Sequence, residues 1–111
     1  MERTLNKVSY TQEEQDIAMF AKALSHPVRV AILNYLDRRC SCFTGDLVEI
    51  FPMAQSTISQ HLNELKKAGL IQGEVNPPKT KYCINQKNWE MAKKLFNEFF
   101  EIDFSNISCS V

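Results

Sequence analysis

Glycine is scarce in this chain. Its three glycines, at 45, 69 and 73 of 111 residues, are too few and too scattered for a loop that cradles phosphate. Histidine is scarcer still, with only His26 and His61. No Ser-His-Asp or His-Cys arrangement can be placed in one pocket, so no enzymatic reading has support. There is no excess of charge, thirteen basic residues balancing thirteen acidic ones, and overall charge therefore does not announce a nucleic-acid binder. Long hydrophobic runs are missing too. Residues 1–7 do not resemble a signal peptide and no segment approaches membrane-spanning length, which predicts a cytoplasmic protein without a membrane partner. No repeat or low-complexity segment is present, and the length supports one domain with a modest core.

What is present is an ordered series of helix signals. Thr11 and Glu14 are spaced as a capping box, and Ile17, Phe20, Ala21 and Leu24 follow at helical intervals, predicting a first helix over about 12–24. Pro27 suits the first position of a second helix, whose apolar stripe is Val28, Ala31, Ile32, Tyr35 and Leu36. Thr44 is expected to cap a third helix with Asp46 in its first turn, ended by Pro52. Ile58, Leu62 and Leu65 set the inner face of a fourth, with Gly69 placed as its C-terminal stop. Residues 70–75 and 80–85 are β-prone runs flanking the turn signal Asn76-Pro77-Pro78-Lys79. A fifth helix, about 87–103, carries Trp89, Ala92, Phe96, Phe99 and Asp103, with Leu95 and Phe100 beside them.

The fold this predicts is mainly α with a small β-hairpin wing. It is a winged helix-turn-helix of five helices over 1–104, followed by a short flexible tail at 105–111. Helix, turn, second helix and basic hairpin, in that order, suit a unit that enters a DNA groove. Residues 54–82 hold Lys66, Lys67, Lys79 and Lys81 against Glu64 and Glu74, a locally basic face that can meet phosphate. Opposite Ile58, Leu62 and Leu65 lie Gln55, Ser56, Thr57, Ser59, Gln60 and Asn63, which can pair with base edges or phosphates. The plain alternative is a solvated helix face, but such a face would carry more charge and fewer Ser, Thr and Gln. For Lys79 and Lys81 the plain alternative is a solubilising hairpin tip. His26 is expected to cap or pack at the junction of the first two helices.

One recognition helix reads only a few base pairs, so specificity calls for two copies about one helical turn apart. The stripe of the last helix is too large and aromatic to leave wet, and predicts a homodimer through the first and last helices, using Phe20, Trp89, Phe96, Phe99 and Phe100.

Two segments resemble a known family. Residues 21–33, with Leu24, Pro27, Arg29, Ile32 and Leu33, resemble the "L-x-x-P-x-R-x-x-I-L" signature of the ArsR/SmtB repressors. Gln55-Ser56-Thr57-Ile58-Ser59-Gln60-His61-Leu62, with Leu65 and Ala68-Gly69-Leu70, is similar to that family's recognition-helix signature. The resemblance covers roughly residues 17–100. It implies a homodimer that binds partly palindromic double-stranded operator DNA and represses its own gene until a ligand releases it. By family position Gln55, Ser56, Ser59 and His61 are the expected DNA contacts, with Thr57 aimed at phosphate; Gln60 shares their polar face, and Lys79 and Lys81 on the wing are expected to contact backbone.

Four cysteines, Cys40, Cys42, Cys83 and Cys109, are either small packing residues or a thiol site for metal, metalloid or oxidant. Arsenic-sensing members of the family carry Cys-Val-Cys-Asp-Leu at the start of the third helix. Aligning Asp46-Leu47 puts those cysteine positions on Phe43 and Gly45, so the motif is not intact. In relatives with Cys-x-Cys directly before Gly-Asp, Cys42 matches the first cysteine and Thr44 replaces the second. A different set is expected from geometry: Cys42 beside Cys83 across a short ladder, Cys40 on the face of Cys42, and Cys109 from the tail. Soft thiolates suit As(III) or Sb(III) as inducer, with Cu(I), Cd or Zn behind them. Helix 5 contains no histidine for a zinc site. The rivals are release by cysteine oxidation, no small ligand at all, and a winged helix that binds protein instead of DNA.

Overall fold

The structure is a computed structural model that describes residues 9–37, 42–76, 79–106 and 108, with 37, 42–45, 74–76 and 79–80 described as backbone. Its elements run α1 (Gln12–Ala23), α2 (Pro27–Asp37), β1 (Cys42–Phe43), α3 (Thr44–Ile50), α4 (Gln55–Lys67), β2 (Ile71–Asn76), β3 (Lys79–Ile84) and α5 (Gln86–Phe100). A 3-10 turn over Phe104–Asn106 follows.

Local chemistry sets the helix ends. Thr11 Oγ1 accepts the Glu14 amide at 3.0 Å while Glu14 Oε1 accepts the Thr11 amide at 2.9 Å, the reciprocal capping box expected. α2 opens with Pro27, where a missing amide proton costs nothing. α3 begins at Thr44 itself, one residue before the position expected from a Thr44 cap, and stops at Ile50 because Phe51 precedes Pro52. α4 ends in a Schellman motif. Leu70 N–H donates to Leu65 O at 3.1 Å, Gly69 N–H donates to Lys66 O at 2.9 Å, and Gly69 takes φ +83°. α5 stops at Phe100 rather than near 103. Past its end, Asp103 Oδ1 accepts the Ser105 amide at 2.9 Å, a local bond that competes with helix continuation.

β3 is the middle strand of a three-stranded antiparallel sheet ordered β1-β3-β2. In the β2–β3 register Ile71 faces Ile84 and Asn76 faces Lys79. The core is one cluster with members from all five α-helices and the start of β2. Phe20, Ile32, Leu36, Leu47, Ile58, Leu62, Leu65, Leu70 and Ile71 are its largest fully buried side chains. Burying a Leu or Ile contributes about 1.5–3 kcal/mol, so the 58–62–65 stripe seats α4 firmly against α2 and α3. No helix among the described residues is long and apolar enough to cross a membrane.

Candidate nucleic-acid interface

α4 is amphipathic in the way the sequence required. Ile58, Leu62 and Leu65 are fully buried, whereas Gln55, Ser56, Ser59, Gln60 and Asn63 are exposed and Thr57 is half-buried. The exposed set is uncharged and hydrogen-bonding. It therefore offers donors and acceptors to base edges without a desolvated charge. Ala54 at the N-cap supplies no side-chain acceptor, so no side-chain cap competes with a phosphate for the first-turn amides of α4. Lys66 and Lys67 close the helix, Lys67 reaching Glu64 at 3.5 Å. Lys79 and Lys81 sit on β3, Lys79 opposite Asn76 and Lys81 opposite Glu74 on one side and Phe43 on the other.

His61 departs from the DNA-contact expectation. It is half-buried and turned toward the α1–α2 junction, where its Nδ1 accepts from Arg29 Nε at 3.2 Å and its ring lies 4.5 Å from that of His26. Burial, followed by the nearby His26 and Arg29, holds its pKa below the usual 6.5. Its spacing explains the placement: His61 lies three residues beyond Ile58 on the flank of the buried stripe, while Ser59 and Gln60 project the other way. His26 does cap α2, its Nδ1 accepting the Val28 amide at 3.2 Å. In the sequence Arg29 stands out only as part of a signature. Its role depends on a partner 32 residues away, which no local pattern reports.

The expected dimer residues divide by exposure. Phe20 is 2% exposed inside its own chain and has no surface to offer a second copy, because the helical stripe that holds it faces the core. Trp89 and Phe96 are half-buried, lining with Leu24, Leu70 and Ala92 an apolar cleft of about 180 Å³. Phe99 and Phe100 are open, at 57% and 69%, and Ile102 and Phe104 beyond them at 53% and 70%. Phe99 meets Phe100 edge-on with centroids 5.1 Å apart. α1 packs on α5, and Phe99 shares a shallow depression with Thr11, Glu14 and Ile17 at the start of α1.

The cysteines do not assemble as expected. The segment before α3 does pair with β3, but the register sets Cys42 opposite Tyr82, one residue short of Cys83. The partner of Cys83 on its other side is Gln72, whose Nε2 lies 3.6 Å from Cys83 Sγ. A one-residue offset matters because successive strand residues point to opposite faces. Cys40 and Cys109 lie outside the described residues. Among the described residues no group of three His, Cys, Asp or Glu could hold a metal ion, so those residues alone do not form a thiol site.

Comparison with known proteins agrees with this architecture. Residues 26–72, from the α2 cap to the first residues of β2, match the family described as bacterial regulatory protein, arsR family. The transcriptional repressor PagR of Bacillus anthracis is 29% identical over 92 residues, spanning 83% of this chain and 91% of PagR. The arsenical resistance operon repressor of Staphylococcus xylosus is 32% identical over 75 residues, spanning 66% of this chain and 69% of that one. The crystal structure of a possible transcriptional regulator for arsenical resistance superposes with a TM-score of 0.67 at 27% identity, covering 74% of this chain and 83% of that one. The helix-turn-helix, its wing and these likenesses converge: the chain belongs to the ArsR family and is a DNA-binding transcriptional regulator, not an enzyme.

Proposed function

We propose that the chain acts as a homodimeric repressor that binds a partly palindromic operator. In this reading α4 lies in the major groove, and Gln55, Ser56, Ser59 and Gln60 meet base edges and adjacent phosphates. Thr57, the open amides at the start of α4, and Lys79 and Lys81 on the wing meet backbone. The observation that carries this reading is the composition of α4: five exposed, uncharged, hydrogen-bonding side chains on a helix clamped by three fully buried ones. Repression is supported by relatives that are named repressors, among them PagR.

The second copy docks on the end of α5, where Phe99 and Phe100 stand exposed against each other and Ile102 and Phe104 are exposed just beyond. The seven residues after Phe104 remain a tail to this single domain. A trigger by As(III) or Sb(III) rests on Cys40 and Cys42, which directly precede α3, and on a relative named for arsenical resistance. A thiol just before α3 would act on the helix that abuts α4.

The test is fluorescence anisotropy of the reduced protein on a labelled duplex from upstream of its own gene, followed by arsenite. Salt-sensitive binding at two chains per duplex is expected, with release at stoichiometric arsenite that Cys42→Ser abolishes. Binding that arsenite leaves intact but peroxide reverses would replace metalloid by oxidation as the trigger. Binding indifferent to both would leave a repressor without a thiol switch. No binding to DNA would sink the repressor reading itself.

A further inference from the structure

Arg29 joins three helices. Its Nε donates to His61 Nδ1 on α4 at 3.2 Å, while its Nη1 donates to the carbonyls of Lys22 and Ala23 at 3.3 and 3.5 Å. Those carbonyls belong to the last turn of α1, where a cation also meets the negative end of the helix dipole. This side-chain hydrogen bond joins α2 to α4, and it falls between Gln60 and Leu62, next to the face that reads DNA. We propose that Arg29 is a positioning residue that fastens the recognition helix to the α1–α2 junction, and that proton uptake by His61 unfastens it and weakens operator binding. This rests on the operator reading above.

The chemistry is one of valence. Neutral imidazole offers one acceptor nitrogen, and here it is Nδ1; a proton on that atom turns acceptor into donor, facing the Nε–H of Arg29. The bond must then break, and imidazolium is left beside a guanidinium. Burial and the described groups that act on His61 all oppose the proton. From the α1–α2 side the neighbours are His26 and Arg29, both of which oppose a second positive charge, and burial opposes it further. α3, which packs on α4, brings Asp46 and Glu49, while the groups whose charge acts on His61 are His26 and Arg29. Glu64, one turn along α4, engages Lys67 instead. Because α1 packs on α5, the same bond also links the aromatic docking face to the DNA-reading helix.

The predicted sign opposes ordinary electrostatics. A histidine that touched phosphate would bind DNA more tightly once protonated. Here affinity falls: one pH unit below the pKa of His61 in the free protein, the loss is about tenfold per subunit if only the neutral form binds.

The test measures anisotropy on the labelled upstream duplex from pH 7.5 to 5.5 for the full chain, His61→Asn and His26→Asn. Asparagine at 61 keeps an acceptor near the Nδ1 position but cannot titrate, and asparagine at 26 keeps a helix cap. Wild type and His26→Asn are expected to lose affinity on acidification, while His61→Asn stays flat. Affinity that rises on acidification, or a fall retained by His61→Asn, would overturn the proposal. A readout free of DNA comes from NMR, because two histidines give two ring Cε1–H signals. His61 should titrate below 6.5 with the Arg29 Nε–H signal moving at the same midpoint, and an Arg29 signal indifferent to that titration would also overturn the latch. Coupled titration with no DNA binding at any pH would uphold the latch and overturn the operator reading.

Discussion

Replacing Gly69 by alanine tests how α4, the wing and α5 are joined. Gly69 holds φ +83° at the point where α4 turns into β2, and its carbonyl accepts Asn88 Nδ2 of α5 at 2.9 Å. An alanine there adopts the left-handed region at a cost of about 1–2 kcal/mol. Its Cβ would also lie 2.7 Å from Asn88 Nδ2. That atom ends a side chain able to swing aside, at the loss of a hydrogen bond worth about 0.5–1.5 kcal/mol. Together these give about 2–3 kcal/mol, a large share of the roughly 5–15 kcal/mol that holds a domain of this kind. The melting temperature should fall by roughly 10–20 °C at about 4–8 °C per kcal/mol. Urea unfolding of wild type, Gly69→Ala, Asn88→Ala and the double variant measures it. Asn88→Ala alone should cost about 1 kcal/mol, and the double variant less than the sum, since the shared bond is lost only once. A Gly69→Ala stability within about 0.5 kcal/mol of wild type would refute the reasoning, as would strict additivity.

Phe99→Ser with Phe100→Ser removes two open aromatics without touching the core, so sedimentation should show monomers with unchanged helix content; an intact dimer would place the interface elsewhere. Gln60→Ala should weaken operator binding by about 1–3 kcal/mol while leaving affinity for a scrambled duplex unchanged, which competition anisotropy reads. Stability itself should depend on pH through His61. Its folded pKa lies below 6.5, so beneath that value the unfolded chain binds more protons than the folded one. Unfolding free energy should therefore be level above about 7 and fall as pH drops through 6.5 toward the folded pKa, and His61→Asn should flatten that stretch of the curve.

Much of the fold was legible because its signals are local. The Thr11–Glu14 box, Pro27, the 58–62–65 stripe and Gly69 each act through neighbours within a turn or two, and each element they delimit starts or stops within a residue or two of its expected place. The candidate site was legible where it depends on helix periodicity, hence the exposed faces of Ser59 and Gln60. What periodicity cannot supply is the identity of a distant partner. His61 sits beside two DNA-facing residues in sequence, yet Arg29 draws it inward. Phe20 is expected at the interface because the first helix is expected to join the last one there, but an apolar stripe does not say whether it covers its own core or a second copy. The Cys42 pairing missed by one because strand register is set by the whole hairpin, and a single-residue slip exchanges the faces. Asp103 was read as a helix residue from its spacing, whereas its carboxylate captures the Ser105 amide.

The measurement that bears most directly on the central claim is titration of the reduced chain onto its labelled upstream duplex against a scrambled duplex of equal length, at two salt concentrations. The account predicts saturation at two chains per specific site, preference for the upstream sequence over the scrambled one, and affinity that drops steeply with salt. Equal affinity for both duplexes, or none for either at low salt, would contradict it.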